Sequence, residues 1–314
     1  MGCGLGLIAL LPGGRILSLL SKPPVVRGLH AVSDRLPISV VVPVRNEVAN
    51  LGACLEALGD AFAEIIVVDS NSTDDTAAIA RRHGAQVVTF QWNGRFPKKR
   101  NWVLQNVPLA CDWVLFLDAD EAVTPRLIAE LRRVVPRTGC VGFWLTYRNS
   151  FMGHWLRFGD RFSKLALFRK GAGGYERIDD RGWSDLDMEV HEHPVLDGAI
   201  GRIRSPILHR DFKGMDAYRR RHESYAVWEA MRYLALRAEG PAVWGRLTRR
   251  QRVKYGLLDS WFMGPLYFTT SYVLKLGFLD GRAGFLFAWL KLRYFLRVRA
   301  GISELRRQGD RRHA

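Results

Sequence analysis

The stretch VLFLDADEAV at 114–123 runs from apolar residues that suit the interior of a buried strand straight into three carboxylates, Asp118, Asp120 and Glu121. Crowded carboxylates repel one another unless a positive charge sits among them. In an extended segment Asp118 and Asp120, two residues apart, face the same side. A solvated turn is the plain alternative. The stronger expectation is a hard divalent cation, Mn²⁺ or Mg²⁺, which takes oxygen ligands and keeps positions open for phosphate oxygens.

Upstream of this stretch the pattern alternates. ISVVVP (38–43) is a β-branched run, EVANLGACLEALG has apolar residues at helical spacing, and EIIVVD (64–69) is a second strand. DDTAAIARRHG then reads as a helix closed by Gly84, AQVVTF as a third strand, KKRNWVLQNV as a helix and DWVLFLD as a fourth strand. Strands alternating with helices over short connections imply parallel βαβ units, an α/β sheet covered on both faces. Ligands bind such sheets beyond the carboxyl ends of the strands. The polar clusters VRNE, DSNSTDD and DADE all fall there.

Each cluster has an ordinary reading as well. In DSNSTDD, Ser72 or Thr73 can supply a helix-cap oxygen while Asp74 and Asp75 complement the helix dipole. Asp69 ends its strand before that cap begins. Asn46 in RNE suits a strand-to-helix turn.

The chain has 314 residues, 48% hydrophobic and 11% aromatic, too apolar for disorder as its overall state, with only the tail ELRRQGDRRHA expected to fray. Its net charge of +16 is unevenly placed. Residues 1–209 carry 25 basic and 22 acidic side chains, whereas 210–314 carry 22 and 9, so +13 of the total lies in the last third. Cys3, Cys54, Cys111 and Cys140 have no metal-type spacing and read as scattered buried thiols. LGLIALLPGGRILSLL is broken by Pro-Gly-Gly and Arg15 and lacks a signal-peptide pattern, so residues 1–36 are left as an undetermined N-terminal extension.

ISVVVPVRNEVANLGACLEAL, EIIVVDSNSTDDT, KKRNW and DWVLFLDADE, in this order, together resemble the family-2 inverting glycosyltransferases of the GT-A fold. The later EVHEHPVLDG, the ILH at 207–209 and FLDGRAGFLFAWL narrow the resemblance to the subgroup of lipopolysaccharide core β-1,4-glucosyltransferases. It implies a GT-A catalytic domain over 37–212, and the concentration of basic charge marks 213–314 as a basic, membrane-associating helical region. It also implies that Glu47, with backbone around Pro43 and Arg45, contacts ribose and base, and that Asp69 accepts from the pyrimidine ring N–H. Asp120 would bind the metal most directly, with Asp118 nearer the ribose or a metal-bound water. Lys99 and Arg100 stand where the family often has Gln-Lys or Gln-Arg, so the diphosphate charge is assigned to the pair.

Inverting transfer needs a carboxylate base opposite the leaving group. The dense acidic stretch DLDMEVHEH (185–193) supplies candidates, and the VHE resemblance selects Glu192 over Glu189, Asp187 and Asp185. Of His191, His193 and His209, the last is the best candidate metal ligand because it ends the apolar run PIL. In the back third, YRRRHESYAVWEAMRYLALRAEG reads as an amphipathic helix. The segment 257–279 is interrupted by Asp259, Pro265 and Lys275 and suits helices lying in the interface of an anionic leaflet better than a span.

The expected function is transfer from a nucleotide-diphosphate sugar, a UDP-sugar first, to a lipid-linked glycan at the cytoplasmic face of the bacterial inner membrane, with no nucleic-acid partner. A nucleotidyltransferase would carry a glycine-rich basic loop after the first strand, and VPVRNEVAN has no glycine. A basic membrane or nucleic-acid binding protein would account for the back third and leave DADE unexplained.

Overall fold

Alternate residues of the first strand feed two different cores, and this organises the front of the molecule. The computed structural model describes residues 35–160, 162–178, 187 and 193–313. Its elements begin with β1 (Leu36–Val44), α1 (Leu51–Leu58), β2 (Phe62–Asp69), α2 (Thr76–Arg82), β3 (Gln86–Thr89), α3 (Lys99–Asn106) and β4 (Trp113–Phe116). Ile38, Val40, Val42 and Val44 pack with Leu51, Leu55 and Leu58 of α1. Val41 packs on the opposite face with Ile66, Val114 and Val103 of α3. Both faces of β1 are therefore covered, which is why it reads as a continuous apolar run.

The chain continues through β5 (Glu121–Ala122), α4 (Pro125–Val134), β6 (Gly142–Phe151), β7 (His154–Trp155), β8 (Phe162–Arg169), β9 (Gly173–Tyr175), β10 (Pro194–Leu196) and β11 (Ile200–His209). The main sheet has the order β3-β2-β1-β4-β8-β6-β11-β5. It is parallel from β3 to β4, β8 runs antiparallel to both β4 and β6, and β6 and β11 are again parallel. This is the expected α/β class, with parallel βαβ units at the front and antiparallel pairings around β8. The register sets Val44 beside Asp69, and Leu117 N donates to Val41 O at 3.0 Å, so the ends of β1, β2 and β4 open on one edge. The 1–36 extension lies outside the described residues up to residue 34.

Five helices follow: α5 (Gly214–Glu239), α6 (Pro241–Arg246), α7 (Arg249–Leu257), α8 (Met263–Phe268) and α9 (Gly281–His313). They bury a core of their own, in which Ala226, Ala230 and Tyr233 of α5 meet Phe295, Val298 and Ile302 of α9. The two helices approach closely enough that a Cβ on Gly301 would lie 3.3 Å from that of Ala230. A second cluster joins Phe151 and Leu156 of the β6–β7 hairpin to Ala283 and Phe287 of α9. Asp280 fastens the same contact by accepting from Arg157 N and Phe158 N, both at 2.9 Å. The helices are thus docked on the sheet domain, and residues 34–314 form one compact unit. The tail expected to fray instead continues α9 to His313. Residues 257–279 break into the end of α7, the short α8, a wide turn at Thr269–Leu274 and a tight turn at Gly277–Asp280. No helix among the described residues is long and apolar enough to cross a membrane.

Candidate active site

Beyond β4 the backbone folds back on itself, with Glu121 N donating to Asp118 O at 2.9 Å and Asp118 N donating to Glu121 Oε2 at 3.0 Å. This tight turn brings the carboxylates together, which corrects the expectation of an extended segment presenting two residues on one side. Asp118, Asp120 and Glu121 each offer an oxygen, and these atoms lie within 4.8 Å of one another. The side chains are 27%, 13% and 1% exposed, so the solvated-turn reading does not hold.

The protein supplies cations of its own. Arg100 donates to Asp118 Oδ1 at 2.6 Å, and Lys164 from β8 donates to Asp118 Oδ2 at 2.8 Å and also reaches Glu121. His209 at the end of β11 places Nε2 3.2 Å from Asp120 Oδ2. Burial works against charge on Asp118, but Lys164 and then Arg100 overcome it and hold this carboxyl well below the usual carboxylate range. Glu121 goes the other way: burial pushes it up to about 7 despite the pull of Lys164. Burial likewise opposes the Lys164 ammonium, and Asp118 with Glu121 restores it far above its ordinary value. For Asp120 burial is again outweighed, here by His209, and its carboxyl lies below the ordinary value. Asp120 in turn raises the imidazole of His209 against the effect of burial. The crowding is already compensated by neighbouring side chains.

The adjoining strand ends carry the other sequence-derived candidates. Asp69, 7% exposed, accepts from Ser72 N at 3.1 Å and from the Ser72 hydroxyl, while Ser72 Oγ also accepts from Asn46 N at 2.9 Å. Asn46 and Asn71 have φ near +54°, a left-handed conformation that asparagine tolerates better than most residues. Asp74, not Ser72 or Thr73, serves the start of α2, accepting from Thr76 N at 3.0 Å and from Val48 N at 3.3 Å. Glu47 accepts from Lys213 Nζ at 2.7 Å and from Asn50 Nδ2 at 2.9 Å, which ties the β1 loop to the segment after β11. Burial raises the Glu47 carboxyl above its ordinary value despite Lys213. Pro43 is buried within β1 beside Val68, and Arg45 is exposed.

Lys99 and Arg100, assigned jointly from sequence, part company in three dimensions. Lys99 is 2% exposed; its ammonium donates to Val44 O at 3.0 Å and pairs with Asp187 Oδ2 at 3.2 Å. Burial nonetheless lowers its pKa. Asp187 also accepts from Lys99 N through its carbonyl at 2.9 Å, so this former rival for the base is engaged as an anchor for α3. Arg100 points at the carboxylates and stacks over Tyr175 at 5.3 Å.

The structure therefore brings Asp118, Asp120, His209 and Arg100 together, with Lys99, Glu47 and Asp69 around them. Glu192, Glu189, Asp185 and His191 lie outside the described residues. Lys164 was missed; its signal was a single lysine inside the otherwise apolar SKLALF. Of the cysteines, Cys54 and Cys111 are buried as expected, Cys140 is partly exposed, and Cys3 is outside the described residues.

Residues 39–190 match the family model Glycosyl transferase family 2. The lipopolysaccharide core biosynthesis glycosyltransferase LpsC of Rhizobium meliloti (strain 1021) is 27% identical over 82% of this chain and 90% of its own length. An uncharacterized glycosyltransferase of Rickettsia felis is 35% identical over 31% of this chain, and the match spans only 33% of that relative. Among solved structures, glucosyl-3-phosphoglycerate synthase from Mycobacterium tuberculosis, in complex with Mn²⁺, UDP and glucosyl-3-phosphoglycerate, is 29% identical over 37% of this chain and 44% of its own, with a TM-score of 0.29. The mannosyltransferase PcManGT from Pyrobaculum calidifontis, in complex with GDP-Man and Mn²⁺, is 15% identical over 85% and 87%, with a TM-score of 0.48.

Proposed function

We propose that this chain, which carries a glycosyl transferase family 2 domain over residues 39–190, is an inverting hexosyltransferase moving a sugar from a nucleoside-diphosphate sugar to a lipid-linked glycan. The observation that carries this reading is the set of three carboxylates within 4.8 Å at the open edge of the sheet. Likeness to a lipopolysaccharide core enzyme over 90% of that relative's length favours a cell-surface glycan as acceptor. The nucleotidyltransferase alternative still lacks its glycine-rich loop, and a binding protein without catalysis leaves the carboxylate cluster without a task.

The donor set of the site, carboxylate oxygens with one imidazole, fits Mn²⁺ or Mg²⁺. Asp118 and Asp120 would hold the ion, with His209 in reach. A bound ion would neutralise the charge gathering on the departing diphosphate. Because Lys164, Arg100 and His209 already balance the carboxylates, the ion is required chiefly when a diphosphate adds its own negative charge. The metal and the nucleotide should accordingly bind together. In a thermal-shift panel, Mn²⁺ alone moves the midpoint little, UDP alone modestly, and the two together by more than their sum. A panel in which no nucleoside diphosphate or nucleotide sugar stabilises the protein overturns the reading.

Within the site, Glu47, Asp69 and the backbone of Pro43 and Arg45 serve nucleoside and ribose, and Lys99 with Arg100 serves the diphosphate. Arg100 does so directly and Lys99 from beneath the strand end. Asp69→Ala should weaken UDP even without metal, by about tenfold or more for a lost charge-assisted hydrogen bond. Equal UDP affinity in the variant and the wild type would remove Asp69 from the site.

The helical region is the part that meets the membrane. Trp261 is 67% exposed, Leu274 71% and Leu279 54%, with Val273, Phe278 and Trp289 also turned outward. Lys275, Arg282 and Arg293 are exposed on the same stretch of chain. Large apolar side chains beside basic ones suit the interface of an anionic leaflet. The full-length protein should sediment with vesicles containing anionic lipid and be released by high salt. Failure to bind such vesicles at low salt would refute peripheral attachment, and resistance to both salt and alkaline carbonate would refute a merely interfacial one.

A further inference from the structure

A second cation stands between α5 and α9, away from the carboxylate turn. Lys291 of α9 is partly exposed, and its ammonium meets His222 Nε2 of α5 at 3.4 Å. The rings of Phe287 and Tyr294 lie 5.6 and 5.8 Å from it. Among the described residues it has no salt-bridge partner. Asp160 attracts it from nearby but is hydrogen-bonded to Asn149 Nδ2, while Arg221 and Lys254 add positive charge and are themselves paired with Asp211 and Glu229. Burial pulls the ammonium below its ordinary pKa, as expected of an under-compensated cation. An ammonium has three donors, and leaving it enclosed beside aromatic rings with one neutral nitrogen is costly unless something else completes it.

The surroundings have unmet hydrogen-bonding capacity too. Tyr218, whose ring stacks on His222 with centroids 3.8 Å apart, has a buried hydroxyl that finds no partner among the described residues and is free to donate. The cluster is contiguous with the active site, because Asn149 stands opposite His209 in the β6–β11 register and His209 contacts Asp120. It reaches the carboxylates from the β11 and α9 side. Of the cations assigned to the donor diphosphate, Arg100 reaches them from α3, while Lys99 of the same helix lies under the end of β1. Two separate positive poles thus stand one on either side of the carboxylates.

We propose that Lys291, oriented by His222, whose Nδ1 donates to Tyr218 O at 2.9 Å and whose Nε2 faces the ammonium, forms with the Tyr218 hydroxyl a subsite for an anionic group, a carboxylate or a phosphate, carried by the acceptor glycan. That the anion belongs to an acceptor rests on the transferase reading above; the anion site itself does not. Such a subsite would fix an acidic or phosphorylated sugar so that its attacking hydroxyl faces the anomeric carbon of the donor from the side opposite the diphosphate, and would discriminate against neutral acceptors lacking the charge.

The test is thermal unfolding of the full-length protein in inorganic phosphate and in acetate, each against sodium chloride of equal ionic strength. Wild type should show a saturable stabilisation by at least one of the two anions. Phosphate acting alone would assign a phosphorylated acceptor, and acetate a carboxylated one. Lys291→Met, which keeps the length of the side chain without its charge, should weaken that response about tenfold or more, as loss of a charge-assisted contact predicts. If Lys291→Met does not fold, Tyr218→Phe, which removes the second donor, should weaken it in the same direction. No anion-specific stabilisation of wild type, or an undiminished response in a folded variant, overturns the subsite. UDP binding by wild type is measured alongside, so that failure of the transferase reading is seen separately from failure of the anion site.

Discussion

Asp120→Ala is expected to bring sugar transfer to background while the protein remains folded. The side chain contributes little to stability. Among the described residues its side chain contacts His209 at 3.2 Å, and its backbone carbonyl, which accepts from Arg210 N at 2.8 Å, survives the substitution. What disappears is the carboxylate of the cluster least committed to other cations, since Asp118 already holds both Arg100 and Lys164. A metal's stabilisation of transition-state charge is worth several kcal/mol, so the loss should be roughly 10³-fold or more in turnover. Binding should report the same event without catalysis: the variant keeps the response to UDP alone and loses the extra shift from Mn²⁺. Asp120→Ala that transfers sugar at a near-normal rate in EDTA would show that no ion acts there.

Glu192→Gln carries the second large effect. The acceptor oxygen must form its bond to the anomeric carbon as the bond from that carbon to the diphosphate oxygen breaks, and its proton must pass to a base on the acceptor side. Asp118, Asp120 and Glu121 are occupied around the donor side, and Asp187 is held by the buried Lys99. That engagement removes Asp187 from the acidic stretch, and among Asp185, Glu189 and Glu192 the VHE resemblance selects Glu192. Glutamine keeps the size and reach of the side chain but cannot take the proton. Turnover should fall by about 10²–10⁴-fold, with donor affinity nearly unchanged. Wild-type rates in Glu192→Gln together with a collapse in Glu189→Gln would move the base to Glu189 and leave the transferase reading intact.

Much of the frame was legible because a strand buried on both faces and a helix buried on one leave different periods in the chain. The apolar runs at 38–43, 64–69 and 113–117 became β1, β2 and β4, and the polar residues ending them lie on one edge. Capping was less legible. Ser72, Thr73 and Asp74 are all competent acceptors, and only the approach of Asn46 and Asp69 committed Ser72 elsewhere and left the start of α2 to Asp74. The separation of Lys99 from Arg100 was equally hidden, since neighbouring helical residues diverge and one of them met a carbonyl and a carboxylate under the sheet.

By itself the sequence determined the α/β class, the order of the first four strands and the three helices between them, and the presence of acidic groups at the strand ends, all of which follow from local periodicity and nearest-neighbour chemistry. The tertiary structure decided what those acidic groups are near. Lys164 lies more than forty residues from Asp118 and His209 nearly ninety from Asp120, yet both reach the same turn because β8 and β11 enter the sheet out of chain order. The same crossing of β11, followed by the return of α9 over the β6–β7 hairpin, set Lys291 beside His222 of α5. Charge compensation is a property of distances through space, and no pattern along the chain encodes which distant cation will meet a given carboxylate.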